Sequence, residues 1–254
     1  MKTVLKMSMK KFIPWFFPLL LLVGWQVLSW AGAIPERILP APTKVLQAGL
    51  ELSANGELVN HVSISLGRAL AGFLIGGIIG FIFGLLNGVF RIADLFFDTS
   101  IQMLRNIPHL ALIPLVILWF GIGETSKIFL VALGVLFPIY INTYHGIKSV
   151  DKGLVEMGRA YGLKGITLFF NVILPGAMSS ILVGIRFSLG VMWLTLIVSE
   201  TISAHSGIGY MAMNAREFMQ MDVIVLSILL YAFFGKLSDV IARYLEDRLL
   251  LWNT

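Results

Sequence analysis

The sequence predicts an all-α polytopic membrane protein with six transmembrane helices, and three observations carry that expectation. The apolar share is 57% and the charged share only 13%, whereas an average soluble domain carries about 25% charged residues. With a mean hydropathy of +0.88, so few charges cannot cover a water-facing surface. Stretches of about 20 mostly apolar residues, the length a membrane helix needs, recur along the whole chain. The basic residues collect on alternate connections between those stretches. The same composition excludes a disordered chain. The absence of Cys excludes disulfides, thiolate metal sites and a cysteine nucleophile. A net charge of +5 could point to nucleic acid, but in a membrane chain it reports topology.

The first expected span is Phe12–Trp30. Four preceding lysines and the following Ala31-Gly32-Ala33 imitate a cleavable secretory signal. The apolar run is longer than the usual core of such a signal, so a retained signal anchor is expected. The loop to His61 carries Pro35, Pro40 and Pro42 and the polar run Ser53-Ala54-Asn55-Gly56-Glu57, and reads as an extended stretch followed by a short helix. Residues 1–61 are therefore expected to form an anchor and external loop, residues 62–245 the transmembrane domain, and residues 246–254 a short cytoplasmic tail.

The second span, Leu66–Val89, repeats glycine every fourth residue at 72, 76, 80, 84 and 88. Such a stripe lets another backbone approach closely, either within the chain or between subunits. The third and fourth spans, Ile101–Phe120 and Lys127–Ile147, are interrupted by Pro108, Pro114 and Pro138, which leaves five spans as the alternative to six. The fifth and sixth are Ala177–Ser199 and Val223–Ile241.

With the N-terminus inside, Lys2, Lys6, Lys10, Lys11, Arg91, Lys148, Lys152, Arg159, Lys164, Lys236, Arg243 and Arg248 are cytoplasmic. Only Arg37, Lys44, Lys127 and Arg216 are outside, a ratio of twelve to four that places both termini in the cytoplasm.

Between the fourth and fifth spans lies a cytoplasmic segment with its own pattern. Asp151 is a candidate N-cap. Leu154, Val155, Met157 and Tyr161 supply an apolar side, Lys152, Glu156 and Arg159 supply polar contacts, and Gly162 is placed to end the helix. A second stretch, Thr167–Val172, leads to Pro175. Read from residues alone, this is a short amphipathic helix, free to lie on lipid headgroups.

Glu156-Met157-Gly158, three residues, Gly162, nine residues, then Val172-Ile173-Leu174-Pro175 resembles the signature of permease subunits of binding-protein-dependent ABC importers. That signature reads E-A-A, three positions, G, nine positions, I-x-L-P. Met157 and Gly158 replace the two alanines and Val172 replaces the isoleucine; Gly158 would loosen the helix by up to about 1 kcal/mol relative to Ala. The resemblance covers nearly the whole chain. Ile38–Pro42, Ser100–His109 and Gly207–Arg216 look like the nitrate/sulfonate/taurine branch, and Asp98–Gly162 with Met213–Phe218 look most like the permeases of aliphatic-sulfonate importers.

The resemblance implies a type I importer permease fold in a bacterial inner membrane, with a coupling helix formed by Glu156, Met157, Gly158, Arg159 and Gly162 and completed by Leu174 and Pro175. It implies a cytoplasmic ABC ATPase dimer and an extracytoplasmic solute-binding protein as partners, a permease homodimer, and no cofactor or metal. The residues agree on one point: no phosphate-cradling G-x-x-x-x-G-K-[ST] occurs, since Gly235-Lys236 is followed by Leu237. ATP hydrolysis would have to come from another chain.

Intramembrane ionisable groups are candidate pathway residues, here Arg105, His109, Arg186 and Glu200. Arg186 reads either as a structural ion pair or carbonyl contact, or as a cation lining the route of an anion. Arg105 reads either as such a cation or as a side chain reaching cytoplasmic phosphates. Arg68 is expected to reach the outer surface. The rival classes are a membrane-embedded hydrolase and a passive channel or secondary carrier. His61, His109, His145 and His205 lack the H-E-x-x-H spacing of a zinc site, and Ser199-Glu200 and His205-Ser206 form no recognisable nucleophile arrangement.

Overall fold

The structure is a computed structural model, and it describes residues 2–250, with side chains described for residues 16–202 and 204–250. Met1 and residues 251–254 of the expected tail lie outside the described residues, as do the side chains of Lys2, Lys6, Lys10 and Lys11. The described residues form helices and no strand.

Contacts divide the chain into two units, Met1–His61 with Met211–Leu230, and Val62–Tyr210 with Tyr231–Thr254. In the first unit, α1 (Lys2–Trp30) meets α2 (Pro42–Ala54). Gln26 holds the start of α2 by accepting from the Thr43 amide at 3.2 Å. Pro42 opens α2, where its missing N–H costs nothing. Val45 and Ala48 are the buried positions of α2, and a Cβ at Gly49 would touch Leu226.

The second unit is built on α3 (Glu57–Val89), α6 (Glu124–Lys148) and α9 (Leu174–Ser203). The glycine stripe of α3 lies against α6. Side chains added at Gly72, Gly84 and Gly88 would meet Val131, Thr143 and Ile147 at 2.5–2.9 Å, and at Gly76 and Gly80 they would meet the backbone carbonyls of Ala132 and Leu136. The stripe thus serves helix packing inside the chain, the first of the two roles open in the sequence. The α6–α9 contact is equally close: Gly146 faces Ser180, and Gly184 faces Asn142.

The third expected span takes a different form. Helix α4 (Arg91–Arg105) begins ten residues before the expected start and is followed by a 3-10 turn at His109–Leu112 and by α5 (Ile113–Phe120), bent 80° from α4. Pro108 explains the break, because its ring disfavours the helical region for Ile107. Pro114 sits in the first turn of α5, where proline is tolerated. Helix α4 turns its polar side towards α6: Asp98 accepts from Tyr140 at 2.9 Å and Asp94 pairs with Lys148 at 3.0 Å.

Among the described residues, four helical stretches are long and apolar enough to cross a membrane: Glu57–Val89, Glu124–Lys148, Gly165–Ile202 and, after a short α10 (Ile208–Glu217), Met221–Leu249 (α11). The bent pair makes a fifth. Six were expected; the remaining one, Phe12–Trp30, falls in α1, of which only Phe16–Trp30 has described side chains.

Candidate functional site

The cytoplasmic segment folds as its local chemistry dictates. Asp151 accepts from the Gly153 amide at 2.7 Å and caps α7 (Lys152–Ala160). At the other end Gly162 has φ +84, a left-handed conformation costly for a residue with a Cβ. Its amide donates to Arg159 O at 2.9 Å and the Leu163 amide donates to Gly158 O at 3.0 Å. This pair of bonds is the Schellman closure, which satisfies the last carbonyls of a helix.

One expectation changes here. Leu154, Met157 and Tyr161 are exposed on one side of α7, with Glu156 and Arg159 exposed beside them, whereas Val155 is half-buried and separate from them. Gly158 is buried, and a Cβ there would meet Leu168 Cδ1 at 2.8 Å and Val172 Cγ2 at 3.1 Å. The substitution for the second alanine of the importer signature therefore has a contact role: it lets α7 lie close on the segment that follows.

That segment is a short α8 (Gly165–Leu168) and a π turn, Phe169–Ile173, running directly into α9. The Leu174 amide donates to Phe169 O, five residues back. Pro175 has no N–H with which to satisfy the Asn171 carbonyl, so the ladder widens at this point. Leu174 and Pro175 are half-buried at the head of α9.

The candidate pathway residues fall into separate places. Arg105, exposed at the end of α4, and His109, half-buried in the next turn, line one cavity of about 330 Å³ together with Gly134, Phe137 and Asn142 of α6 and Phe187 of α9. His109 Nε2 lies 3.0 Å from Thr195 Oγ1. Arg186 lies elsewhere and is paired, its Nε 2.7 Å from Asp239 and its Nη1 3.8 Å from Glu246, both on α11.

Glu200 is 1% exposed, in a network that the sequence reading did not contain. Its carboxylate accepts from Arg68 Nη1 (2.7 Å), Ser65 Oγ (2.8 Å), the Gly209 amide (2.9 Å) and Tyr231 OH (3.0 Å). Arg68 also donates to Glu124 and to Ser206 O. The expectation that Arg68 reaches the outer surface is thereby corrected: at 3% exposure it has acids on two helices within reach, a better environment for its charge than a partly solvated lipid boundary. Gly207 and Gly209 are shaped by the same carboxylate. Glu200 atoms stand where a Cβ would go at either position, and Gly207 has φ +110. Among the described residues no group of His, Asp and Glu could hold a metal ion.

Residues 72–251 match the family of binding-protein-dependent transport system inner membrane components. The chain belongs to that family. A protein named as an aliphatic sulfonates transport permease, SsuC, of Escherichia coli (strain K12) is 62% identical over 100% of this chain and 96% of its own length. The protein of the same name in Bacillus subtilis (strain 168) is 45% identical over 93% of this chain and 86% of its own length. The fold agrees. An inward-facing structure of the MetNI methionine ABC transporter aligns with a TM-score of 0.59 at 20% identity, covering 76% of this chain and 97% of that one. This inner-membrane transport component is thus a multi-pass helical protein with the type I permease architecture.

Proposed function

We propose that this chain is the permease subunit of an ATP-driven importer and forms the pathway by which aliphatic sulfonates cross the bacterial inner membrane. The observation that carries the substrate class is the 62% identity, over the full chain, to a protein bearing that name. Taurine, nitrate and other small anions or heterocycles are the competing cargoes.

The chain lacks a phosphate-binding loop, so a separate ATPase dimer supplies the hydrolysis. The exposed side of α7, with Leu154, Met157 and Tyr161 beside Glu156 and Arg159, is the seat for it. Gly162 and the π turn before Pro175 join that seat directly to α9. Closure of the ATPases would thus reach a membrane helix as a rigid-body displacement, the usual form of alternating access. An extracytoplasmic binding protein delivers the substrate, and both termini are cytoplasmic. The exposed apolar faces of the spans meet lipid. The pore is completed by a second copy of this chain, because the spans of one chain are too few to enclose a pathway by themselves. The glycine stripe is occupied by α6 and plays no part in that pairing.

Reconstitution tests the reading. Proteoliposomes holding this chain, its ATPase and its binding protein should take up butanesulfonate only when ATP is present on the ATPase side. Uptake without ATP would make the chain a secondary carrier or channel. Uptake of taurine or nitrate in place of butanesulfonate would move the substrate class. A mass of the assembled complex corresponding to one copy of this 28.1 kDa chain with a different permease would refute homodimerisation.

A further inference from the structure

The cavity between the α4–α5 turn, α6 and α9 has two chemically distinct parts. Its lining includes Arg105, which stands apart from the other two arginines singled out from the sequence. Arg68 and Arg186 are each held by two carboxylates, whereas none of the ion pairs among the described residues includes Arg105. Its guanidinium offers a planar fork of donors suited to an oxyanion. The rest of the lining is mostly apolar, with Phe137 on α6 and Phe187 on α9, and includes Asn142 as a further polar residue. Phe187 is 64% exposed, a large ring with little protein against it.

His109, which also lines the cavity, belongs to a polar pair. His109 Nε2 and Thr195 Oγ1 are 3.0 Å apart, and Thr195 is fully buried. Gly134 makes room for them: a Cβ there would lie 2.8 Å from Thr195 Oγ1 and 3.2 Å from His109 Nε2. A cavity of about 330 Å³ falls within the range of small-molecule sites, about 300–1,000 Å³.

We infer that this cavity is a binding station for alkanesulfonates within the permease, with the Arg105 guanidinium taking the sulfonate and Phe137 and Phe187 taking the alkyl chain. His109, held by Thr195 over Gly134, is the positioning group between head and tail. The inference rests on the sulfonate reading above and adds to it a site and a division of labour. A small inorganic anion would use only the Arg105 end. An alkanesulfonate uses both, so the site favours longer chains over methanesulfonate.

The test is uptake by the complete transporter in proteoliposomes, with ATP hydrolysis stimulated by the loaded binding protein measured on the same samples. The probes are butanesulfonate and methanesulfonate. Arg105→Gln should lower butanesulfonate uptake by about tenfold to a hundredfold, the loss expected for one charge-assisted contact. Stimulated ATP hydrolysis should fall less than uptake, because Arg105 lies outside α7, the proposed ATPase seat. Phe187→Ala, at an exposed position, should lower butanesulfonate uptake more than methanesulfonate uptake and so erase the preference for the longer chain. Wild-type uptake of butanesulfonate with unchanged uptake by Arg105→Gln would overturn the station and leave the transport reading standing. Failure of the wild-type complex to take up either sulfonate would overturn both. Loss of uptake together with loss of stimulated hydrolysis in Arg105→Gln, combined with an unchanged chain-length preference in Phe187→Ala, would assign Arg105 to assembly and also overturn the station.

Discussion

Arg68 on α3 and Glu200 on α9, 132 residues apart in sequence, meet at 2.7 Å with almost no solvent on either side chain. A buried pair of this kind stabilises only when the remaining polar groups are satisfied, and here they are. Arg68 has Glu124 and Ser206 as further acceptors, and Glu200 has Ser65, Tyr231 and the Gly209 amide as further donors. Removing Arg68 leaves the Glu200 carboxylate without a cation, which typically costs about 3–5 kcal/mol, whereas removing Glu200 leaves Arg68 paired with Glu124. Arg68→Met should lower stability by that order in thermal unfolding of the detergent-solubilised protein, and Glu200→Gln by less. The double variant should lose less than the sum. Strict additivity would show that the two side chains are not coupled.

The glycines of α3 allow a second comparison. Ala at position 76 puts a methyl against the backbone of Ala132, where no side chain can rotate away. Overpacking of that kind costs about 1–3 kcal/mol. Gly190 on α9 has nothing within 4 Å of its would-be Cβ, and Ala there should instead gain about 0.5–1 kcal/mol through helix entropy. Melting temperatures of Gly76→Ala and Gly190→Ala should therefore move in opposite directions. A shift of the same sign in both would mean that α3 and α6 are not in this close contact.

These two cases also show what a single sequence makes legible. The long helices are readable because apolar runs announce them, and α7 is readable because Asp151 and Gly162 act on their own neighbours. Helix α4 is misread because its polar side, Asp94 and Asp98, meets α6 while Ile92, Leu95 and Phe96 are exposed. A search for continuous apolar windows starts too late to see it. The Arg68–Glu200 pair depends on tertiary proximity that no local period encodes. One signal was nevertheless present. Arg68 stands four residues before Gly72 and so continues the stripe 72, 76, 80, 84 and 88, which puts it on the face that packs inward. The cavity at Arg105 was legible only as a pair of polar residues; its aromatic wall comes from α6 and α9.

The orientation is open to a direct experiment, because the chain has no Cys to remove. Lys152, Arg248 and Asn55 are all exposed, so access to a reagent depends on the side of the membrane and not on burial. In intact cells, single cysteines at positions 152 and 248 should resist a membrane-impermeant thiol reagent, and one at position 55 should react. Strong labelling at 152 from outside would invert the topology and remove α7 from the reach of a cytoplasmic ATPase.

The coupling role of α7 makes the last prediction. Gly162 adopts φ +84 with nothing within 4 Å of a would-be Cβ, so its constraint is conformational and not steric. Ala there should cost about 1–2 kcal/mol, the usual penalty for a left-handed residue with a Cβ, and uptake should fall only partly. Pro fixes φ near −65° and removes the amide that donates to Arg159 O. Gly162→Pro should therefore misdirect the chain between α7 and α9 and abolish ATP-driven uptake, while the membrane helices, which lie outside this turn, keep their melting temperature. Glu156→Lys tests the same surface by charge. Glu156 is exposed, so reversing it should leave folding unchanged and weaken co-purification of the ATPase. Uptake and ATPase recovery measured together separate the two modes: Gly162→Pro should break transmission, and Glu156→Lys should break docking. Normal uptake in both variants would remove α7 from the coupling path and leave it as an amphipathic helix lying on the membrane surface.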